Sequence, residues 1–259
     1  MSSFDVPEFQ HMLRSSIGSE LYYYYEIDST NRVAENLAQQ SFREGITVIA
    51  NSQTAGRGRS NNQWFSPLAE NIYFTLLLKP DASYLHRIPF VAGLAIAKTL
   101  AALGLKIDLK WPNDLLVGIR KIGGILIQSA MEAGAVKYAV LGFGINVNSR
   151  SFPADLNETA TSVAIEIGQP SDRESILAGI LMNFEKLYSE MTKILWEDFS
   201  KEIEKRSTFI RDCEVRIQNH EGITEGTTAG LDSYGGLIVN TPDGARVFYS
   251  GEVQACRKK

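Results

Sequence analysis

The sequence predicts an α+β protein with a mixed or antiparallel central sheet, helices on one side of that sheet, and a small β-barrel at the C-terminal end. Four strand-like segments follow one another with short turns between residues 107 and 147, and strands joined in this way usually pair antiparallel in one sheet. From Arg211 onward, short β-type runs alternate with glycine-rich turns, which is typical of a small barrel. We therefore expect two domains, residues 1–205 and residues 206–259.

The elements of the first domain follow from periodicity and capping signals. An aromatic-rich strand is predicted over Leu21–Ile27, and four helix-capping residues then precede a helix over residues 32–40. Gly118 and Gly134 mark hairpin turns. The other predicted strands cover residues 46–51, 71–79, 107–110, 114–117, 121–131 and 136–147, and the other predicted helices cover residues 85–103, 160–167 and 171–203.

Composition excludes several classes of protein. Lys and Arg number 26 against 30 Asp and Glu, so the net charge is −4, which argues against a protein dedicated to binding DNA or RNA. Cys213, Cys256 and the three histidines show no zinc-ligand spacing, so we expect both cysteines to be reduced and partly buried. The longest apolar stretch, residues 88–105, is interrupted by Lys98 and Thr99 and reads as a buried helix. With no targeting signal at the N-terminus, we expect a soluble cytoplasmic protein that does not bind membranes.

A polar loop over residues 52–63 contains the sequence Gly56-Arg57-Gly58-Arg59. Long loops without secondary structure inside a compact domain are usually functional. The glycines allow the backbone to approach a ligand closely, and two guanidinium groups suit a phosphate or a carboxylate. The alternative interpretation is a mobile basic surface loop.

A second motif, Lys110-Trp111-Pro112-Asn113-Asp114, presents an amide and a carboxylate where a strand ends. Asp114 could accept a hydrogen bond from a ligand or hold a magnesium ion. The alternative is an Asx turn, in which these side chains satisfy only their own backbone.

Two predicted strands carry paired glycines. Lys121 opens a strand that contains Gly123 and Gly124, and the following strand contains Gly142 and Gly144. Glycine within a strand often marks a close approach of a ligand or of another backbone. If the two strands pair, they form a bare patch of sheet for a flat ligand, with Lys121 at its edge. A bulge or a close helix crossing is the alternative.

In order along the chain, these blocks resemble one protein family. The sequences DSTN, QTAG, GRGR, WFSP, KWPND, KIGGIL and GFGINVN are together similar to the catalytic domain of the biotin protein ligases, over residues 22–203. The sequence SGEV near the C-terminus extends the resemblance to nearly the whole chain. The resemblance implies a catalytic domain with the fold shared by class II aminoacyl-tRNA synthetases and biotin ligases, followed by an SH3-like barrel.

The resemblance also implies an activity. Members of this family use ATP and magnesium to convert biotin to biotinyl-5′-AMP. They then transfer the biotinyl group to a lysine of the biotin carboxyl carrier domain of a biotin-dependent carboxylase. The residues that the resemblance makes catalytic are Lys121, Arg57 and Arg59. Those expected to bind biotin are Ser29, Thr30, Asn31, Gln53, Gly56, Arg57, Gly58, Arg59, Lys121, Gly124, Gly142 and Gly144. Those expected on the ATP side are Lys110, Trp64, Asn113, Asp114 and Asn146, with Asp114 as the magnesium ligand.

The mixed anhydride hydrolyses in water, so a loop must close over it. Residues 52–63 and 148–159 are the two candidate lids, and Phe152, Pro153 and Leu156 supply apolar surface for the adenine.

The chain departs from the family pattern in two places. Ser60-Asn61-Asn62-Gln63 stands where the family commonly has a second Gly-Arg pair, which could weaken ATP binding or retention of the adenylate. About twenty residues precede the first predicted strand, too few for the winged helix-turn-helix of bifunctional members, so repression of a biotin operon is not expected. Lipoate or octanoate ligases and transferases of the same fold, and a non-catalytic biotin sensor, are the alternatives. A homo-oligomer could form through an edge strand over residues 136–147.

The acidic net charge and the short N-terminal segment predict no sequence-specific DNA binding. In a gel-shift assay with biotinyl-AMP and biotin-operon-like duplexes, we expect weak binding that disappears as salt rises. Tight binding that depends on the DNA sequence would contradict this expectation.

Overall fold

The computed structural model describes residues 3–59 and 62–255. Its central sheet has seven strands in the order β1-β2-β3-β7-β6-β5-β4. β1 and β2 are parallel and the other neighbours are antiparallel, so the predicted mixed sheet is confirmed. The strands are β1 (Leu21–Ile27), β2 (Ile46–Gln53), β3 (Ile72–Leu78), β4 (Asp108–Lys110), β5 (Asp114–Val117), β6 (Arg120–Glu132) and β7 (Ala135–Ile145).

Six α-helices surround the sheet within the described residues. The predicted helix over residues 171–203 is wrong in one respect, because it is two helices, α5 and α6. Leu195 adopts an extended backbone between them, and the change of direction allows Phe199 and Ile203 of α6 to pack into the core. The helices are α1 (Val6–Met12), α2 (Thr30–Leu37), α3 (Ile88–Ala101), α4 (Val163–Ile167), α5 (Arg173–Glu190) and α6 (Trp196–Glu204), with a 3-10 turn over Ala82–Arg87 before α3.

The two faces of the sheet are covered differently. Side chains alternate along a strand, so Phe74 and Leu76 of β3 join the large core with α3 and α5, whereas Leu77 joins a small cluster beneath α2. The expectation of helices on one side therefore holds for α3 and α5, and the short α2 lies on the opposite face. Because α2 covers only part of that face, the rest of it is left open next to Thr30, where the helix begins.

The hairpin between β6 and β7 turns through Ala133 and Gly134, whose φ angles are 51° and 83°. Two successive positive φ angles match the turn that two-residue hairpins favour, so the predicted turn is confirmed. The expectation of an edge strand over residues 136–147 is wrong. β7 pairs with β3 on one side and β6 on the other, so both of its edges are hydrogen-bonded inside the sheet and neither is free to pair with a second chain.

The C-terminal segment forms a second, five-stranded antiparallel sheet in the order β11-β10-β9-β8-β12. Its apolar side chains, among them Val215 and Leu237, belong to the same continuous core as the central sheet. The boundary between residues 205 and 206 therefore stays a prediction. Cys256 and residues 257–259 lie outside the described residues, and no helix within the described part of the chain is long and apolar enough to cross a membrane. The strands are β8 (Arg211–Asn219), β9 (Gly222–Leu231), β10 (Leu237–Thr241), β11 (Gly244–Phe248) and β12 (Glu252–Ala255).

A buried hydrogen bond joins the two sheets and can be tested. The Trp111 Nε1 donates to the Gly235 carbonyl oxygen at 3.0 Å, whereas the buried Trp196 Nε1 has no hydrogen-bond partner among the described residues. We expect Trp111→Phe to lower the free energy of unfolding by ~1–3 kcal/mol more than Trp196→Phe, because only the first leaves a buried carbonyl unpaired. Urea denaturation of the two variants measures this difference, and equal losses would contradict it.

Candidate active site

A cavity of about 950 Å³ opens between the uncovered face of the central sheet and the C-terminal sheet. Gly56 is the predicted site residue that does not line this cavity. A Cβ at this position would press against Ser66 and the Trp64 carbonyl oxygen, so Gly56 faces the rest of its own loop. The structure brings the other predicted site residues together around this cavity: Ser29, Thr30, Asn31, Gln53, Arg57, Gly58, Arg59, Trp64, Lys110, Asn113, Asp114, Lys121, Gly124, Gly142, Gly144 and Asn146.

The floor of the cavity is the predicted patch of glycines. Gly124 and Gly144 are direct neighbours across β6 and β7, as predicted from the paired motifs. The Trp64 indole lies on them: a Cβ at Gly124 would stand 3.1 Å from Trp64 Cζ3, and a Cβ at Gly144 would overlap the ring. A Cβ at Gly142 would overlap the Asn31 side-chain oxygen. The missing side chains therefore make room for one indole and one amide.

An ion pair stands at the edge of this floor. Lys121 Nζ lies 2.5 Å from Asp114 Oδ1 and 5.3 Å from the centre of the Trp64 ring. Two backbone hydrogen bonds with residues 159–161 hold Lys121 in place, from its N–H to the Thr159 carbonyl at 2.7 Å and from the Thr161 N–H to its carbonyl at 2.9 Å. These hydrogen bonds fix the backbone of Lys121, and its side chain is only one-third exposed.

The two arginines of the first loop point in different directions. Arg59 Nη1 lies 3.2 Å from Asn113 Oδ1 and 3.3 Å from the Gly251 carbonyl oxygen. Burial lowers the pKa of the Arg59 guanidinium, and the carboxylates of Asp114 and Glu252 oppose that shift. Arg57 turns outward to Glu35 at 3.7 Å and is 44% exposed.

Three residues expected on the nucleotide side have structural partners. Asn113 Nδ2 donates to the Ile125 carbonyl of β6 at 2.8 Å, a contact with a neighbouring strand and not the local Asx turn that was the alternative. Asn146 Nδ2 donates to the Thr161 carbonyl at 3.0 Å. The Lys110 ammonium lies over the Phe209 ring, 5.7 Å from its centre. All three still line the cavity.

The metal assignment of Asp114 stays a prediction. Within the described residues, no group of three or more His, Cys, Asp and Glu side chains is arranged to hold a metal ion. A Mg²⁺ ion bound to a nucleotide commonly needs only one or two carboxylates besides phosphates and water. Because Asp114 pairs with Lys121, it can hold a magnesium ion only if the lysine and the ion share its carboxylate.

At the start of α2, away from the Lys121–Asp114 ion pair, the cavity is lined by polar side chains without charge. Gln53 Oε1 accepts from the Thr30 backbone N–H at 2.9 Å, and Gln53 Nε2 donates to Ser66 Oγ at 3.1 Å. Ser29 precedes α2, and its hydroxyl makes no capping hydrogen bond. These groups present hydrogen-bond donors and acceptors at the open end of α2.

Sequence reasoning missed part of the cavity wall. Residues 218–220 and 250–253 of the C-terminal part of the chain line the cavity. Residues 250–253, the SGEV motif, contributed only to the family resemblance, and no site residue was predicted in either segment. Phe152 and Leu156 also line the cavity, and the Phe152 ring lies 6.3 Å, centre to centre, from the ring of Phe65, which follows the first predicted lid. Of the altered Ser60–Gln63 segment, Ser60 and Asn61 lie outside the described residues.

Comparison with known proteins identifies the family. The profile of the biotin/lipoate A/B protein ligase family matches residues 23–146, and that of the biotin protein ligase C-terminal domain matches residues 213–254. A bifunctional ligase/repressor from Bacillus spizizenii is 35% identical over 92% of this chain and 74% of its own length. This chain belongs to the biotin protein ligase family.

Other members of the biotin protein ligase family are similar over nearly their full length. A biotin–[acetyl-CoA-carboxylase] ligase from Paracoccus denitrificans is 30% identical over 87% of this chain and 96% of its own. The structure of the biotin protein ligase from Aquifex aeolicus in complex with biotin and ATP superposes with a TM-score of 0.79, at 28% identity, over 92% of this chain and 99% of its own. Both profile matches together span the central sheet and the C-terminal sheet.

The two predicted lids are expected to change on ligand binding. We expect biotinyl-AMP to slow amide hydrogen exchange in peptides that cover residues 52–63 and 148–159, because the ligand supplies partners for loops that pack little core of their own. Strand β10 lies away from the cavity and serves as the control segment. Exchange that is unchanged in both loops would rule out their role as lids.

Proposed function

We propose that this cavity is where the enzyme activates biotin with ATP and then transfers biotin to a carrier protein. The enzyme is an ATP-dependent biotin protein ligase, and its carrier is a biotin carboxyl carrier domain. The observation that carries the proposal is that one cavity joins an uncharged polar end, a floor of glycines and a cationic end. These three parts match the fused rings, the aliphatic chain and the carboxylate of biotin in order.

The polar end would bind the fused rings. Ser29, Thr30, Asn31 and Gln53 offer donors and acceptors to the cyclic urea, and Gly142 leaves space beneath them. The aliphatic chain would cross the floor at Gly124 and Gly144. Since the Trp64 indole covers that floor, it has to shift when biotin enters.

The cationic end would bring two anions together. The biotin carboxylate and the α-phosphate of ATP repel each other, and fixed cations in a partly dry site offset that repulsion. Lys121 and Arg59 lie in the cavity for this role. Arg57 can join them at little cost, because an exposed ion pair such as that with Glu35 contributes little to stability.

The remaining predicted residues would face the nucleotide. Lys110, Asn113 and Asn146 line that side of the cavity, and Phe152 and Leu156 offer apolar surface to the adenine. Asp114 would contribute one oxygen ligand to a magnesium ion held mainly by the phosphates of ATP. When bound, that ion neutralises phosphate charge.

The chemistry then proceeds without a nucleophilic side chain. A carboxylate oxygen of biotin attacks the α-phosphorus of ATP, and pyrophosphate leaves. The neutral amine of the carrier lysine next attacks the acyl carbon, its proton is lost, and AMP leaves. In both steps negative charge grows on oxygens that Lys121 and Arg59 can reach.

Lipoate or octanoate as the substrate is disfavoured by the polar end. A dithiolane or an alkyl chain would offer no partner to the lone pairs of the buried Thr30 hydroxyl or to the remaining side-chain N–H of Gln53, which disfavours such a ligand. The test is pyrophosphate–ATP exchange with each acid, followed by the intact mass of a carrier domain. Exchange that depends on biotin, and a carrier mass increased by one biotinyl group, are expected, whereas exchange that depends on lipoate would overturn the assignment.

Replacement of Lys121 tests its catalytic role. Lys121→Gln keeps the length of the side chain but removes the charge, so we expect both half-reactions to slow by ~100-fold or more. Pyrophosphate–ATP exchange and single-turnover transfer from preformed biotinyl-AMP measure the two steps. Lys98→Gln, on the exposed side of α3, is the matched control and should run at the wild-type rate. A folded Lys121→Gln enzyme that runs both steps normally would show that this lysine is structural.

A further inference from the structure

A buried hydroxyl lies behind the polar end of the cavity. Thr75 interrupts the apolar run of β3 and is fully buried. Its Oγ1 lies 2.8 Å from Thr30 Oγ1 and 2.7 Å from Asn31 Oδ1. Thr30 and Asn31 line the cavity, whereas Thr75 does not. Thr75 can therefore influence a ligand only through these two neighbours.

The Asn31 amide is held by three adjacent strands. Its oxygen contacts Thr75 of β3, and its Nδ2 donates to Gln128 Oε1 of β6 at 3.1 Å. Between those strands it lies flat on Gly142 of β7, where a Cβ would stand 2.9 Å from the Asn31 Cγ and Nδ2. Thr75 and Gly142 are paired neighbours in the sheet. With its oxygen on Thr75 and its nitrogen on Gln128, the amide makes all three contacts.

With the Asn31 amide in this orientation, the direction of the Thr75 hydroxyl proton follows. An amide oxygen can only accept, so the Thr75 hydroxyl donates to Asn31 Oδ1. The Thr75 oxygen then accepts the proton of the Thr30 hydroxyl, for which Gln53 Oε1 at 3.2 Å is a second acceptor, while the Thr30 backbone N–H donates to Gln53 Oε1. The Thr30 oxygen is left with lone pairs for the cavity. Asn31 and Gln53 each keep one side-chain N–H after donating to Gln128 and Ser66.

We propose that Thr75 and Gln128 are positioning residues that orient Thr30 and Asn31 for the ring of biotin. The proposal rests on the proposed function of the cavity. The resulting set, an acceptor on Thr30 and donors on Asn31 and Gln53, is complementary to a cyclic urea, which has N–H donors and a carbonyl acceptor. Without Thr75, the Thr30 hydroxyl keeps only its longer contact with Gln53 Oε1, at 3.2 Å, and the Asn31 amide loses the hydrogen bond that its oxygen accepts.

Thr75→Val tests this role because it keeps the shape of the side chain and removes the hydroxyl. We expect the biotin KM in pyrophosphate–ATP exchange to rise by ~10- to 100-fold, the loss associated with misplaced buried polar groups. The KM for ATP and kcat at saturating biotin should stay near wild type, because the lost interaction is one of binding. Thr75→Ser restores the hydroxyl and should restore the biotin KM.

Two further variants complete the experiment. Thr47→Val, on β2, removes an equally buried hydroxyl that does not border the cavity, and it should leave the biotin KM unchanged. Gln128→Met removes the acceptor for Asn31 at a partly exposed position, so it tests the same network if Thr75→Val does not fold. It should raise the biotin KM selectively, by about 3- to 10-fold.

The possible results separate this proposal from the assigned reaction. A normal biotin KM in the folded variants, an equal rise in the ATP KM, or failure of Thr75→Ser to restore binding would overturn the positioning role while leaving the ligase assignment intact. Absence of biotin-dependent exchange in the wild-type enzyme would instead refute the proposed function itself.

Discussion

The register between β6 and β7 determines where the cavity lies. Gly124 pairs with Gly144, so two neighbouring strands lack side chains on the same face. On the other face, Phe143 stacks on Phe74 with ring centres 4.2 Å apart, and Ile125 is buried beside them. A slip of one residue would turn Phe143 and Ile125 onto the cavity floor and remove them from the core. Packing on one side of the sheet therefore maintains the empty floor on the other.

Charge in the cavity follows a second constraint, which is that a partly buried cation needs a partner. Lys121 pairs with Asp114, and Arg59 contacts the Asn113 side chain and the Gly251 carbonyl. An anionic substrate has to compete with these groups. The net binding energy of an anion is therefore the difference between its contacts with these cations and the contacts that it replaces.

The C-terminal sheet is part of the site as well as of the core. Gly251 and Glu252 line the cavity, and Trp111 reaches across to the Gly235 carbonyl. Its buried side chains belong to the same hydrophobic cluster as those of the central sheet. Loosening this sheet would therefore disturb Arg59 directly, through a backbone carbonyl that no substitution can remove.

The sequence by itself determined the local features of this protein. β1 and β5 begin and end at the predicted residues, and the hairpin turns lie at Gly118 and Gly134, whose positive φ angles favour glycine. The motif blocks contain the predicted site residues that line the cavity, because each block places its polar and glycine residues within a few positions of one another. Only the tertiary structure decided the central position of β7, the face on which α2 packs, the break before α6, and the partners of Thr75. These depend on strands and helices far apart in sequence, and their pairing is set by how side chains fill the core rather than by any local preference.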